Sequence, residues 1–368
     1  MPAPPVIGIV GSHGAYGRWL REFLATRMGL EVLGADPADP AGLDPAALLE
    51  RSDVLVFSVP IRHTAATIDE YARIAGGREH RQLWLDLTSI KAAPVAAMLR
   101  SRAEVAGLHP MTAPPKGPTL KGRVLVVCEA RLARWRGWLR ELLDALEAQC
   151  VHSDPDRHDR VMALVQAMVH ATHLAQAGVL RQHAAGLGSL EGLMPYRSAS
   201  FELDAAVMAR ILSLNPAIYE DIQFENPHVP GVLDALAGEL ARLRDAVRRG
   251  GDEGRSGFRR HFLLDNREAF GAGALREGNH GFERLAWLLA DLAETRTLSV
   301  HLPRDEPGAL RRLLHVFERL GISLSSIHSA RTPEGEVHFR IGFAAALAPE
   351  LLLEAGRRIE HEGIGRLL

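Results

Sequence analysis

The hydrophobic positions of this chain change rhythm twice. Up to about residue 150 they come as short unbroken runs: Val6 to Val10, Leu30 to Ala35, Asp53 to Pro60, Gln82 to Ser89, Val105 to Pro110 and Arg123 to Cys128. Runs of this length, rich in β-branched residues, are strands buried on both faces. They alternate with helical stretches, of which Arg18 to Thr26 is the first. That alternation predicts a parallel sheet with helices on both sides. Such sheets bind ligands beyond the carboxyl ends of their strands. Gly14, Pro60, Ser89 and His109 all fall at those ends, so position along the chain already gathers them into one crevice.

From about Ser153 to Thr295 the period is helical. Ser153 or Asp154 caps a long helix running from Pro155 to about Leu187. Gln166, His170 and His173 form one polar stripe on its otherwise apolar surface. Satisfied core or surface groups would give the same stripe; a face turned to a cleft is the more economical reading. The two histidines have no third ligand beside them, so no metal is expected. A helix over Phe201 to Leu214 carries Arg210 among Val207, Met208, Ile211 and Leu212. Its guanidinium either lies along the surface or clamps a carboxylate with its forked donors. Leu233, Leu236, Leu240, Leu243 and Val247 give the next helix a narrow apolar seam, suited to another helix or a second subunit. Arg248 to Gly257 reads as a polar, glycine-rich loop, and Phe258 to Ala293 as helix again.

From Arg296 the rhythm changes once more. Strands are expected at Thr297 to Pro303, Ile322 to Ala330 and Glu336 to Phe343, with helices at Pro307 to Leu320 and Pro349 to His361. This is β-α-β-β-α, with Ile364 to Leu368 left to supply the last strand of a ferredoxin-like unit. The pattern therefore divides the chain into residues 1–150, 151–295 and 296–368: an α/β domain, an all-α domain and a small α+β domain.

Composition narrows the function. With 368 residues, 47% of them hydrophobic, and a formal net charge of −2, the chain can fill two or three cores and is neither a nucleic-acid binder nor disordered. Two cysteines, Cys128 and Cys150, make neither a disulfide framework nor a metal quartet, so a reducing cytoplasm is the expected location. Met1-Pro-Ala-Pro-Pro5 lacks the charge of a signal sequence, and no stretch approaches membrane-spanning length.

The candidate chemistry begins where the first strand breaks. Gly11-Ser-His-Gly-Ala-Tyr-Gly17 turns between strand and helix, which presents backbone N–H groups and a positive helix end to a pyrophosphate. A glycine triplet also suits a turn without a ligand, and Ser12 stands where the usual register has a glycine. The flanking strand and helix favour a dinucleotide, as does Asp36, about 19 residues past Gly17. Asp36 can bind both ribose hydroxyls and repels a 2′-phosphate. Pro37 and Ala38 follow it without a basic residue, so NAD is expected rather than NADP.

Six motifs in this order resemble the prephenate dehydrogenase family of tyrosine biosynthesis. They are Val10-Gly-Ser-His-Gly-Ala-Tyr-Gly17, Phe57-Ser-Val-Pro-Ile61, Asp86-Leu-Thr-Ser-Ile-Lys91, Gly107-Leu-His-Pro-Met111, Val165-Gln-Ala-Met-Val-His170 and Ala209-Arg-Ile-Leu-Ser-Leu-Asn-Pro216. The resemblance implies a Rossmann domain, then an all-helical dimerisation domain. The tail, with Asp305-Glu-Pro-Gly-Ala-Leu310 opening its first helix, is similar to an ACT domain, a fold that binds amino acids and commonly exerts feedback control. The implied activity is NAD-dependent oxidative decarboxylation of prephenate to 4-hydroxyphenylpyruvate by a homodimer, regulated by an aromatic amino acid. His109 matches the family's catalytic histidine and Ser89 the serine working beside it. Arg210 matches the arginine that grips a substrate carboxylate, and His170 a second histidine near the substrate, with Gln166 as its neighbour. Gly11, Ser12, His13, Gly14, Ala15, Tyr16, Gly17, Asp36, Val59 and Pro60 fall at the cofactor.

The chain departs from the family after Met111, where Thr112-Ala-Pro-Pro115 replaces a glycine-containing loop; that loop bears on side-chain preference. Arogenate, with an amino acid in place of the pyruvyl ketone, is the alternative substrate. No mutase-like helical segment precedes the first strand, so that second activity is not expected. A β-hydroxyacid-type dehydrogenase would need a catalytic lysine in the helical domain, but the lysines are Lys91, Lys116 and Lys121, all before it. A non-catalytic sensor of NAD or an amino acid is the reading from another class; turnover separates it from an enzyme.

Overall fold

The computed structural model describes residues 3–40, 42–115, 117–183, 186–293, 296–302, 306–331 and 337–367. Met1, Pro2, Lys116, Thr295, residues 303–305, Glu336 and Leu368, named above, lie outside them. The chain divides into two compact units, Met1–Arg244 and Asp245–Leu368.

The first unit opens as β1 (Ile7–Val10), α1 (Ala15–Arg27), β2 (Val32–Ala35), α2 (Pro45–Arg51), β3 (Val54–Phe57), α3 (Ile61–Ala75), β4 (Leu83–Asp86), α4 (Ala92–Leu99), β5 (Glu104–Pro110), β6 (Val124–Arg131), α5 (Arg136–Leu146) and β7 (Gln149–His152). The strands form one sheet in the order β2-β1-β3-β4-β5-β6-β7. Alternate residues of each run feed opposite layers. Ile7, Ile9, Val54, Val56, Leu83 and Leu85 pack with Leu20 and Phe23 of α1, Leu139 and Leu142 of α5, and Trp135 just before α5. Val10, Leu55, Phe57 and Trp84 pack with Leu48, Ile68, Tyr71, Val95 and Met98 of α2, α3 and α4. Burial on both faces is what the unbroken apolar runs required.

Two expectations for this region need correction. The sheet is not wholly parallel: β6 runs antiparallel to β5, pairing His109 with Val126, and β7 is parallel to β6. The short connection through residues 111–123 is a reversal rather than a helical crossover, which is what a parallel pair needs. Helix α1 starts at Ala15, not Arg18, so Gly17 lies inside its first turn.

The helices follow as α6 (Pro155–Met162), a π-helical turn (Ala163–Met168), α7 (Val169–His183), α8 (Ser189–Leu193), α9 (Ala199–Ser213), α10 (Pro216–Phe224) and α11 (Val229–Arg249), which runs into the second unit. Asp154 caps α6 by accepting the N–H of Arg157 at 2.9 Å, Ser198 caps α9 and Asn215 caps α10. Ala163, Ala167, Ile222 and Val229 form a small core of their own, against which Ile61 of α3 packs. The π turn therefore sits between α10 and the strand-end loops.

The second unit continues with α12 (Gly251–Phe258), a π-helical stretch (Arg259–Asp265), α13 (Asn266–Phe270) and α14 (Ala272–Ala293). The expected loop at Arg248 to Gly257 is thus largely helix. Gly250 and Gly251, with φ of +63° and +54°, make the break at the start of α12, and Gly254 serves close packing: a Cβ there would stand 2.6 Å from the carbonyl oxygen of Ala246 on α11. The chain ends as β8 (Thr297–Leu302), α15 (Ala309–Arg319), β9 (Leu324–Arg331), β10 (Val337–Phe343), α16 (Pro349–His361) and β11 (Arg366–Leu367). The four strands make an antiparallel sheet in the order β11-β8-β10-β9, so the short last strand does form, against His301 and Val300. Val300, Phe339 and Ile341 on one face of the sheet pack on Leu313, Phe317, Ala355 and Ile359 of the two helices. This is a ferredoxin-like β-α-β-β-α-β unit. Among the described residues no helix is long and apolar enough to cross a membrane.

Candidate active site

A cavity of about 540 Å³ lies within the first unit, at the carboxyl ends of β1, β3, β4 and β5. Its walls come from the loops that end those strands and from the π turn, α7, α9 and α10. Of the residues singled out in the sequence, Gly14, Ala15, Tyr16, Val59, Pro60, Ser89, His109, Gln166, His170 and Arg210 all line it. Gly11, Ser12, His13, Gly17 and Asp36 do not; they build the turn behind it.

That turn is set by contact distances. Gly11 adopts φ +84°, and a Cβ there would meet the Ser58 carbonyl oxygen at 2.4 Å. A Cβ on Gly17 would sit 2.2 Å from the Gly11 oxygen, so α1 can cross this close to the turn only as glycine. Ser12 is buried with its hydroxyl against Gly34 of β2. Gly14 caps α1 without a side chain and no acid stands in the first turn, which leaves the helix N-terminus open to an anion. Asp36 ends β2 and accepts the N–H of His13 at 2.8 Å and of Ala38 at 2.9 Å. Open N–H groups beside a glycine turn, with a carboxylate at the end of the next strand, fit a dinucleotide. Tyr16 donates its hydroxyl to the Thr112 carbonyl, which ties this turn to the loop after β5.

His109 stands at the end of β5, 3% exposed. Its Nδ1 lies 2.9 Å from Nε2 of His158, and Nδ1 of His158 lies 2.7 Å from Oδ1 of Asp159. Both partners are 1% exposed. Asp159 also accepts the backbone N–H groups of Lys91 and Ala92, at 2.7 and 2.9 Å, which caps α4 and seats α6 against it. Beneath His109 the fully buried Lys91 pairs with Asp86 and donates to the carbonyl oxygen of Leu108 at 2.9 Å. Burial, then His158, then Lys91 hold the His109 imidazolium well below the usual histidine range. The ring is therefore neutral near neutral pH and able to accept a proton. Ser89, half-buried, lines the cavity beside it.

The opposite wall carries the substrate candidates. Gln166 lies in the π turn and His170 just after it, so the extra residue in that turn decides which side chains reach the cavity. The polar stripe splits there. His170 lines the cavity, stacks edge-on against Tyr219 and leaves a buried Nδ1 without a hydrogen-bond partner. His173 turns away and contacts Asp204 of α9 at 3.2 Å. Among the described residues no three possible ligands group around a metal position. Arg210 is exposed in the last turn of α9, and among the described residues no carboxylate pairs with it. Asp221 is the one carboxylate among the described lining residues, and Arg62 of α3 occupies it.

Sequence reasoning missed His158, Asp159, Asp221 and Tyr219. The adjacent His158-Asp159 pair near the start of α6 was a visible signal, but its partner lies 49 residues away.

Two family descriptions match the chain: "Prephenate dehydrogenase, dimerization domain" over residues 154–263 and "ACT domain" over residues 296–354. A 4-amino-4-deoxyprephenate dehydrogenase of Streptomyces pristinaespiralis is 32% identical over 263 residues, covering 67% of this chain and 86% of that protein. A probable arogenate/prephenate dehydrogenase of Methanocaldococcus jannaschii is 23% identical over 309 residues, covering 79% and 67%. The prephenate dehydrogenase of A. aeolicus, solved with hydroxyphenyl propionate and NAD+, shares the fold at a TM-score of 0.56 and 17% identity, over 73% of this chain and 99% of that one. The chain belongs to the prephenate dehydrogenase family of oxidoreductases.

Proposed function

We propose that the chain is an NAD-dependent prephenate dehydrogenase that converts prephenate to 4-hydroxyphenylpyruvate and carbon dioxide. The observation that carries this reading is the meeting, in one cavity, of a buried base on a strand end and an exposed arginine with which, among the described residues, no carboxylate pairs. The turn at Gly11 to Gly17 and Asp36 would hold NAD, with Val59 and Pro60 along its path. Bound NAD supplies the hydride acceptor. His109 accepts the proton of the ring hydroxyl as hydride leaves the same carbon, and Ser89 hydrogen-bonds that hydroxyl. Arg210 grips a carboxylate through its forked donors, and His170 and Gln166 orient the substrate. Loss of carbon dioxide then makes the ring aromatic, and the phenolic oxygen takes the proton back.

Two features of the lining support the choice of a pyruvyl side chain over an amino acid. The ammonium group of arogenate needs a carboxylate, and Asp221 is already held by Arg62. Hydrogen-bond donors, among them Asn215 and Tyr219, suit a keto acid instead.

On this reading residues 1–150 hold the cofactor, 151–295 complete the substrate site and form a homodimer, and 296–368 bind an aromatic amino acid as effector. The setting is the cytoplasm, where tyrosine is made. The test is NADH formation by the full chain with NAD and either prephenate or arogenate, with and without tyrosine or phenylalanine. Turnover of prephenate, lowered by one of the amino acids, is expected. Turnover of arogenate alone would transfer the site to the other substrate. NAD binding without turnover of either would make the protein a sensor.

A further inference from the structure

We infer that His158 and Asp159 form a relay that fixes His109 as the Nδ1–H tautomer and takes up positive charge while the substrate hydroxyl gives up its proton. The inference deepens the proposed function and rests on His109 being its base.

The geometry sets the direction of each hydrogen bond. Asp159 caps the N-terminus of α4, accepting a backbone N–H with each carboxylate oxygen. A carboxylate only accepts, so the 2.7 Å contact places a proton on Nδ1 of His158. In the neutral ring Nε2 of His158 is then an acceptor. The 2.9 Å contact to His109 needs one donor and one acceptor, so Nδ1 of His109 carries the proton. What remains for the cavity is Nε2 of His109, an unprotonated lone pair. All three side chains are buried, and Asn226 holds the backbone of Asp159 at 2.8 Å, so the chain of bonds has little freedom to reorganise.

The same bonds balance the reaction. The substrate O–H bond breaks toward Nε2 of His109 while the C–H bond of the same carbon releases hydride to the dinucleotide oxidant. The Nδ1 proton of His109 crosses to Nε2 of His158, and the charge comes to rest on an imidazolium beside Asp159. When the C–C bond to carbon dioxide breaks, its electron pair makes the ring aromatic. The phenolate oxygen takes the proton from Nε2 of His109, and the proton on His158 returns. No proton is gained or lost. Lys91, paired with Asp86, opposes charge on His109 itself, which favours moving it to His158. His158 and Asp159 are thus positioning residues behind a catalytic one.

The test joins a tautomer measurement to kinetics on the full chain. In 15N NMR of histidine-labelled protein, with the His109 signals identified by their loss in His109→Asn, His109 should carry its proton on Nδ1. His158→Leu should lower kcat about 10- to 100-fold, the usual cost of losing the partner behind an oriented histidine, with KM for prephenate and NAD affinity within about 3-fold. His158→Gln keeps an oxygen that accepts from Nδ1 but cannot carry the proton. It should preserve the Nδ1–H signal and restore part of kcat. A proton on Nε2 of His109 in the wild type overturns the inference, as does wild-type kcat in His158→Leu. An Nδ1–H signal in a protein that does not oxidise prephenate overturns the functional reading and the uptake step, and leaves the tautomer assignment standing.

Discussion

Arg210 and His109 face the same cavity under opposite conditions. Arg210 is exposed, and on the proposed function it would hold an anion. His109 is buried with its imidazolium disfavoured, and on the same reading it would receive a proton. Removing the guanidinium in Arg210→Ala should therefore raise KM for prephenate more than it lowers kcat. A charge-assisted hydrogen bond worth about 1.5–3 kcal/mol corresponds to roughly 10- to 150-fold. An unchanged KM would take Arg210 out of the site. The pH dependence of His109 has a definite sign. His158, Lys91, Asp86 and Asp159 surround it, and its folded pKa is depressed. As pH falls through about 6.5, where a free histidine protonates, the base should stay active and kcat/KM should stay level, falling only at lower pH. Stability should move differently. Over that window the unfolded chain gains protons that the folded one refuses, so the urea midpoint should drop between about pH 7 and pH 5. A kcat/KM that titrates at about 6.5 would contradict the assignment of His109.

At the scale of elements, the site depends on how α4, α6 and the π turn are seated. Lys91 and Asp86 lie wholly buried between β4, α4 and β5; Lys91 pairs with Asp86 Oδ2, and among the described residues Asp86 Oδ1 has no hydrogen-bond partner. Lys91→Met strands that carboxylate and should destabilise the fold by about 3–5 kcal/mol, read as a lower denaturant midpoint with an unchanged slope. A loss under about 1 kcal/mol would show that the pair does not hold the strand end in place. The strands, the glycine turn and most helices were legible because local patterns dictate them: continuous apolar runs, a Pro after Asp154, a Gly after Leu320. The direction of β6 was not, since an apolar run reads the same whichever way the strand points. Helix α12 was hidden by a glycine cluster in which Gly250 and Gly251 do break the chain, while Gly254 lies within the helix against α11. Ser89, His109 and Arg210 could be picked out because each is polar at a strand end or among apolar neighbours. His158 and Asp159 could not, because their meaning depends on the packing of α6 on β5 and α4.

At the scale of the molecule, the helical region presents an apolar face that the single chain leaves in solvent: along α11, Leu240 is 56% exposed and Val247 66%. With a family model described as a dimerisation domain matched over the same segment, we propose this seam as the subunit contact. The full chain should sediment as a dimer, and Leu240→Glu with Val247→Glu should shift it toward monomer; a double variant that stays dimeric would move the interface elsewhere. The central claim is chemical and rests on one ring. The most direct measurement is NADH formation from NAD and prephenate by His109→Asn beside the wild type, with NAD affinity determined for both. NAD affinity should be equal in the two proteins and kcat lower in the variant by about 10²- to 10⁴-fold, the contribution of a general base. Near-wild-type turnover in the variant would contradict it.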